Sequence, residues 1–85
     1  MDISFDPIKK KGNIEKHGIA FDRFVELDVL AVLEDDRFAE PRLRLYSLID
    51  DVACCAAVVI RDDEYRVISL RRAHRKEMQR HAKKD

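Results

Sequence analysis

The sequence has little glycine, proline and cysteine, two residues of each, and it has no tryptophan. So few chain breakers leave no linker or low-complexity stretch, which favours a single domain over residues 1–85. The two cysteines, Cys54 and Cys55, are adjacent, and neighbouring side chains of a strand point to opposite faces. This argues against a disulfide between them and favours two buried thiols.

Net charge and long hydrophobic runs are also absent. Lys and Arg together number 17, and so do Asp and Glu. No apolar run approaches the roughly 20 residues of a membrane-spanning helix, and no signal peptide is recognisable, so we expect a cytoplasmic protein without membrane contact. Among the charged residues, those of positions 22–40 are mostly acidic and those from Arg61 onward are mostly basic. This asymmetry predicts either a positive face that attracts an anion or a solvated surface of mixed charge.

Two N-terminal helices and one C-terminal helix are predicted. Asp6 before a proline predicts the start of the first helix, and Gly18 predicts its end after His17. The second, shorter helix has three apolar residues at helical spacing that should face the core: Phe21, Phe24 and Val25. The last helix covers about residues 73–82 and has only a thin apolar edge.

Five segments have the composition of strands: residues 3–5, 29–33, 42–49, 52–60 and 65–70. The segment 52–60 is almost wholly apolar, as expected of a central strand. Alternation places Arg42, Arg44 and Tyr46 on one face. In the last strand it places Val67 and Ser69 together. The order of strand, two helices, strands and helix predicts an α+β fold with a mostly antiparallel sheet.

Asn13, Lys16 and His17 form the first candidate cluster, because residues three and four apart share one side of a helix. An amide, an ammonium and an imidazole together could hold a phosphate and move a proton. Histidine side chains suit general acid or base chemistry near neutral pH. The alternative is structural: Asn13 and His17 would brace the helix end beside Gly18.

The second candidate cluster is formed by arginines of the late strands, Arg61, Arg66 and Arg71, with Ser69 nearby. Guanidinium groups bind phosphate oxygens bidentately and keep their charge at any physiological pH. Arg42, on a paired strand, could add another cation. The alternative for each arginine is an ordinary surface salt bridge to one of the many carboxylates.

A metal site and other kinds of catalytic site find little support. His74 and His81 lie seven residues apart, about 10 Å along a helix, which is too far to share one zinc ion. The cysteines lack a histidine nearby in sequence, and no glycine-rich phosphate loop is present. We therefore expect no metal and no cofactor.

Two segments resemble the BrnT family of bacterial toxins: "FDPIKKKGNIEKHGIAF" at residues 5–21 and "RVISLRRAHRKE" at residues 66–77. The residues in register are Phe5, Asp6, Pro7, Lys9, Asn13, Lys16, His17, Gly18, Phe21, Arg66, Ile68, Ser69, Arg71, Ala73 and Glu77. Arg42 and Arg61 fall where the family tends to carry arginine. Val59 stands where the family usually has threonine.

The resemblance implies a RelE-like fold and cleavage of cytoplasmic RNA, which arrests translation. It also implies a BrnA-like antitoxin that dimerises through a ribbon-helix-helix part, so that operator DNA is bound only through the complex. Cleavage would need no metal and would leave a 2′,3′-cyclic phosphate.

Specific roles follow from the same resemblance. Lys16 or His17 would transfer protons, while Arg61, Arg66 and Arg71 bind the phosphate. Three further residues would contact RNA: Asn13, Arg42 and Ser69. Replacing Arg61 or Arg71 by alanine should then lower cleavage at least about 10²-fold. The alternatives are a non-catalytic, antitoxin-binding corepressor module and a degenerate toxin that keeps only its antitoxin contact.

Overall fold

The computed structural model describes residues 2–37 and 39–82. Its elements along the chain are β1 (Asp2–Phe5), α1 (Pro7–His17), a 3-10 helix (Phe21–Glu26), β2 (Asp28–Asp35), β3 (Arg42–Ile49), β4 (Val52–Arg61), β5 (Glu64–Arg72) and α2 (Arg75–His81). The strands form one sheet in the order β1-β5-β4-β3-β2. β1 is parallel to β5, and the other neighbouring pairs are antiparallel. The predicted α+β class with a mostly antiparallel sheet is confirmed.

Helix α1 begins and ends where the sequence predicts. The Asp6 carboxylate accepts a hydrogen bond from the backbone N–H of Ile8 at 2.8 Å, and Pro7 occupies the first turn. Gly18 ends the helix with a φ of 72°, a left-handed conformation that glycine adopts without a Cβ clash. His17 is consequently the last residue of the helix. None of the helices in the described part of the chain is long and apolar enough to cross a membrane.

The second predicted helix is a 3-10 helix, and this changes which residues face the core. Phe21 and Phe24 are buried, as predicted, whereas Val25 is 74% exposed. A 3-10 helix has three residues per turn, so residues three apart share a face and the fourth is rotated by about 120°. The prediction for Val25 is therefore wrong.

The core lies between the sheet and the layer formed by α1 and the 3-10 helix. Its buried residues are Ile19, Phe21, Phe24, Leu45, Ile49, Cys54, Ala56, Val58, Val67 and Leu70. A β-bulge in β5 determines which side chains join it: Ala57 pairs with Ser69 while Val58 pairs with Val67, which leaves Ile68 as an extra residue. Val67 thus enters the core, while Ser69 lines the opposite face. The prediction that these two share a face is wrong.

The opposite face of the sheet is partly covered by α2. The ring of His81 stacks on Tyr46 with the ring centres 5.0 Å apart. Cys54 belongs to the core, whereas Cys55 lines a hollow on the α2 side, so the two free thiols point apart as predicted. Burial raises the pKa of both thiols, which keeps them protonated and unreactive.

Candidate functional site

A hollow of about 170 Å³ opens on the α2 face of the sheet, and we call it the central hollow. Its lining residues are Asp35, Arg42, Arg44, Cys55, Ala57, Ser69 and Arg71. The register explains the grouping, because Ala57 pairs with Arg44 on one side and with Ser69 on the other. Its small side chain leaves space between longer neighbours. Three guanidinium groups and a hydroxyl around one opening form a suitable anion-binding arrangement.

Arg71 is held by a carboxylate of α2. Its Nη1 and Nη2 donate to Oε1 and Oε2 of Glu77 at 2.7 and 2.8 Å, which is the bidentate geometry that a guanidinium and a carboxylate favour. The hydrogen bonds from Arg71 lower the pKa of Glu77 to about 2. The backbone N–H of His74 also donates to Glu77, at 3.0 Å. Glu77 therefore fixes the Arg71 side chain while tying α2 to the sheet.

Arg44 also has a carboxylate partner, Asp35, with 3.0 Å between Arg44 Nη2 and Asp35 Oδ2. Asp35 receives two further side-chain hydrogen bonds from Arg37, at 2.8 and 2.6 Å. Those bonds hold the pKa of Asp35 well below its usual range. The ionised Asp35 offsets part of the positive charge at this end of the central hollow.

A second, wider hollow of about 470 Å³ lies beside the end of β5, and we call it the end hollow. It is lined by Lys16, His17, Arg71, Arg72, His74 and Glu77. The two candidates for proton transfer, Lys16 and His17, therefore share a cavity with Arg71. Arg71 also lines the central hollow, so it is a residue that the central hollow and the end hollow share.

Asn13 belongs to the interior, which corrects the prediction that it contacts RNA. Its side chain is 6% exposed, and its Nδ2 donates to the carbonyl oxygens of Ile19 and Leu70 at 2.9 and 2.7 Å. Its Oδ1 accepts from the backbone N–H of Leu70 at 3.1 Å. The amide is thus occupied by backbone groups, and Asn13 braces α1 against β5. This is the structural alternative considered from the sequence.

Arg61 and Arg66 lie outside the central hollow. Arg61 donates through Nε and Nη2 to Glu40 at 2.7 and 2.6 Å, and its side chain is 54% exposed. That pair lowers the pKa of Glu40, and the charges of Arg42 and Arg66 lower it further. The late-strand arginines consequently converge only in part: Arg71 lines the central hollow with Arg42 and Ser69, while Arg61 and Arg66 surround Glu40.

The structure adds two arginines to the site that were given no site role from the sequence, Arg44 and Arg72. A signal for Arg44 was present, since alternation in β3 places it beside Arg42 on one face. Arg72 belongs to the basic C-terminal part of the sequence, but its position beside His17 follows from the end of α1 packing beside β5. Within residues 2–37 and 39–82, no three His, Cys, Asp or Glu side chains are grouped as metal ligands.

Comparison with known proteins identifies the family. Residues 5–77 match the family described as "Ribonuclease toxin, BrnT, of type II toxin-antitoxin system". The fold is similar to the crystal structure of the Brucella abortus ribonuclease toxin BrnT, with a TM-score of 0.69 and 25% identity over 88% of this chain and 99% of that one. No curated protein matches the sequence. The chain therefore belongs to the family of BrnT ribonuclease toxins of type II toxin–antitoxin systems.

Proposed function

We propose that this chain cleaves RNA without a metal ion, by attack of a ribose 2′-hydroxyl on the neighbouring phosphorus. The observation that carries the proposal is the place of Arg71, which lines both the central hollow and the end hollow. A phosphodiester held by Arg71 would have Arg42 and Ser69 on one side and His17 on the other. Membership of a ribonuclease toxin family supports the same activity.

In the reaction, a base removes the 2′-hydroxyl proton, and the oxygen forms a new bond to phosphorus. The bond from phosphorus to the 5′-oxygen breaks, the 5′-oxygen takes up a proton, and a 2′,3′-cyclic phosphate remains. The pentacovalent transition state carries more negative charge than the substrate. Arg42, Arg44 and Arg71 are fixed cations that stabilise such charge, and the Ser69 hydroxyl can donate a hydrogen bond to a phosphate oxygen.

Proton transfer is assigned to His17 or Lys16, which line the end hollow with Arg71. Glu77 lies in the same hollow, but its pKa of about 2 makes it too weak a base to remove a hydroxyl proton efficiently near neutral pH. We therefore assign Glu77 to positioning Arg71. Arg61 and Arg66 are proposed to attract flanking phosphates, since they lie outside the central hollow around Glu40.

A ribonuclease toxin of a type II system has an antitoxin partner and an RNA substrate. We propose that the substrate is cytoplasmic RNA whose cleavage arrests translation, and that the toxin is one RelE-like domain over residues 1–85. The antitoxin is proposed to be BrnA-like, with a ribbon-helix-helix part that carries the complex to operator DNA. The family name supports the partner's class, and the sheet with helices on both faces is compatible with the fold type.

A second candidate function is a non-catalytic, antitoxin-binding corepressor module, or a degenerate toxin. The favouring observation is that Arg71 and Arg44 already hold the carboxylates Glu77 and Asp35. Val59 stands where the family usually has threonine, but this difference does not distinguish an active toxin from a non-catalytic one. Val59 is only 3% exposed, so a threonine hydroxyl at this position would be buried rather than in contact with RNA. Val59→Thr should therefore give no gain of toxicity.

The two candidates are distinguished by incubating the purified chain with end-labelled single-stranded RNA in EDTA and analysing the new termini. The proposed enzyme yields fragments that end in a 2′,3′-cyclic phosphate, which acid converts to a monophosphate. Intact RNA together with tight antitoxin binding would establish the non-catalytic module instead. Cleavage that occurs only when a divalent ion is restored would refute the metal-independent reaction.

A further inference from the structure

A third hollow, of about 230 Å³, lies on the α1 side of the sheet, and we call it the side hollow. Its basic residues are His17, Arg23 and Arg72, and it is otherwise lined by Gly18, Ile19, Ile49, Asp50, Val52 and Cys54. His17 and Arg72 line the end hollow as well. Neighbouring hollows therefore share lining residues. Arg71 lines both the central hollow and the end hollow, and His17 and Arg72 line both the end hollow and the side hollow.

The link follows from the way β5 ends. Arg71 pairs with Cys55 and Arg72 pairs with Cys54, so the two successive arginines project to opposite faces of the sheet. The main chain then leaves the sheet towards α2. A polynucleotide that passes around this end would meet Arg71 on one face and Arg72 on the other.

Arg72 differs from Arg71 in having no carboxylate partner. Its side chain is exposed, and among residues 2–37 and 39–82 its guanidinium group makes no hydrogen bond or ion pair; its backbone carbonyl oxygen accepts a hydrogen bond from Arg71 Nη1 at 3.2 Å. Arg23, by contrast, is bound to Glu26 and to Asp50, at 3.0 and 2.7 Å. The charge of Arg23 is thus largely offset, and Asp50 itself lines the side hollow. Of the two arginines that line the side hollow, Arg72 is therefore the one whose charge no carboxylate among the described residues offsets.

We propose that Arg72, with His17 beside it, binds a second phosphate of the RNA strand, next to the one held by Arg71. The inference rests on the proposed function in that it takes a single-stranded RNA as the ligand. A strand is favoured over a free phosphate ion because the cationic residues continue from one hollow to the next. Arg72 then contributes to substrate binding, while Arg71 acts on the reacting phosphate.

The test measures binding of a 2′-O-methyl RNA hexanucleotide, which lacks the attacking hydroxyl and stays intact. Arg72→Ala should weaken binding about tenfold, the scale for losing one charge-assisted hydrogen bond. It should also reduce the slope of log affinity against log salt by about 0.7, the value for one single-stranded phosphate contact. Arg72→Lys should keep most of the affinity, because it keeps the charge. Inorganic phosphate up to the millimolar range should compete weakly.

Lys11→Ala is the matched control, since Lys11 is exposed on α1 and lines none of the three hollows. It should change neither the affinity nor the salt slope. Unaltered binding and slope in Arg72→Ala would overturn the inference, and so would an equal loss in Lys11→Ala. If Arg72→Ala impairs hexanucleotide binding but wild-type protein leaves RNA intact, the inference stands and the proposed cleavage fails. The reverse pattern rejects the second phosphate site alone.

Discussion

At the scale of single residues, Asn13 and Arg71 show that one polar side chain can stabilise the fold while another lines the candidate site. Asn13 is buried and bonded entirely to backbone groups of residues 19 and 70. Arg71 is 30% exposed and reaches two hollows. Both residues match the family pattern, but only the structure separates the one that braces the fold from the one that faces the solvent.

Replacing Asn13 by alanine should destabilise the protein without altering the lining of the hollows. The change leaves two carbonyl oxygens and one N–H without their side-chain partner, at a typical cost of 1–3 kcal/mol for a buried group. We expect a loss of about 3 kcal/mol in the free energy of unfolding, measured by urea denaturation. A loss below about 0.5 kcal/mol would contradict the bracing role.

The sequence predicts short-range features at this scale well. Asp6 and Gly18 bound α1 because each acts on backbone groups within four residues of itself. The role of Asn13 could not be predicted in the same way, since its partner Leu70 is 57 residues away. Arg61 illustrates the same limit: its partner Glu40 lies 21 residues earlier, and the local sequence does not indicate that pairing.

At the scale of elements, the bulge in β5 and the short helix α2 shape the site. Strict alternation would place Val67 and Ser69 together, but the extra residue Ile68 sends Ser69 to the central hollow. A bulge of this kind has no signature in the local sequence, so it could not be predicted. The 3-10 helix is a second case, because its period is decided by packing rather than by the residues Phe21 and Phe24 themselves.

Helix α2 should loosen in acid. Its seven residues are too few for a stable isolated helix, so it depends on the pairing of Arg71 with Glu77 and the stacking of His81 on Tyr46. The pKa of Glu77 is depressed from 4.5 to about 2 in the folded protein. Its contribution is therefore fully present above pH 4.5 and is lost as the pH falls towards 2.

Amide hydrogen exchange in residues 75–81 measures this effect. Protection of α2 relative to β4 should fall between pH 5 and pH 2 after correction for intrinsic rates. Glu77→Gln should show low protection of α2 already at neutral pH and little further change in acid. Equal protection in the wild type and Glu77→Gln at neutral pH would show that this ion pair does not hold the helix.

At the scale of the whole molecule, a formal net charge of zero conceals an uneven distribution. Many acidic residues of the region 22–40 are paired within the fold, as in the pairs Lys10–Asp22, Arg23–Glu26 and Arg61–Glu40. The basic residues around the end of β5 line the three connected hollows. Local charge, rather than net charge, should therefore govern the attraction of RNA.

The affinity for single-stranded RNA should fall with salt despite the zero net charge. If about three phosphates contact the linked hollows, log affinity should decline against log salt with a slope of about −2. Titrations of the 2′-O-methyl hexanucleotide between low and physiological salt give this slope, with sucrose as an uncharged control for solution effects. Binding that does not depend on salt would exclude recognition through phosphates.

The most direct test of the central claim compares single-turnover RNA cleavage in EDTA by the wild type, Arg71→Ala and Arg61→Ala. Because Arg71 lines both the central hollow and the end hollow, its loss should lower the cleavage rate at least about 10²-fold, the scale for losing one preorganised charge. Arg61 is bound to Glu40 outside the central hollow, so its replacement should lower the rate less than about tenfold, which revises the 10²-fold loss expected from the sequence. Undiminished cleavage by a folded Arg71→Ala protein, or a greater loss in Arg61→Ala, would contradict the assignment of the site.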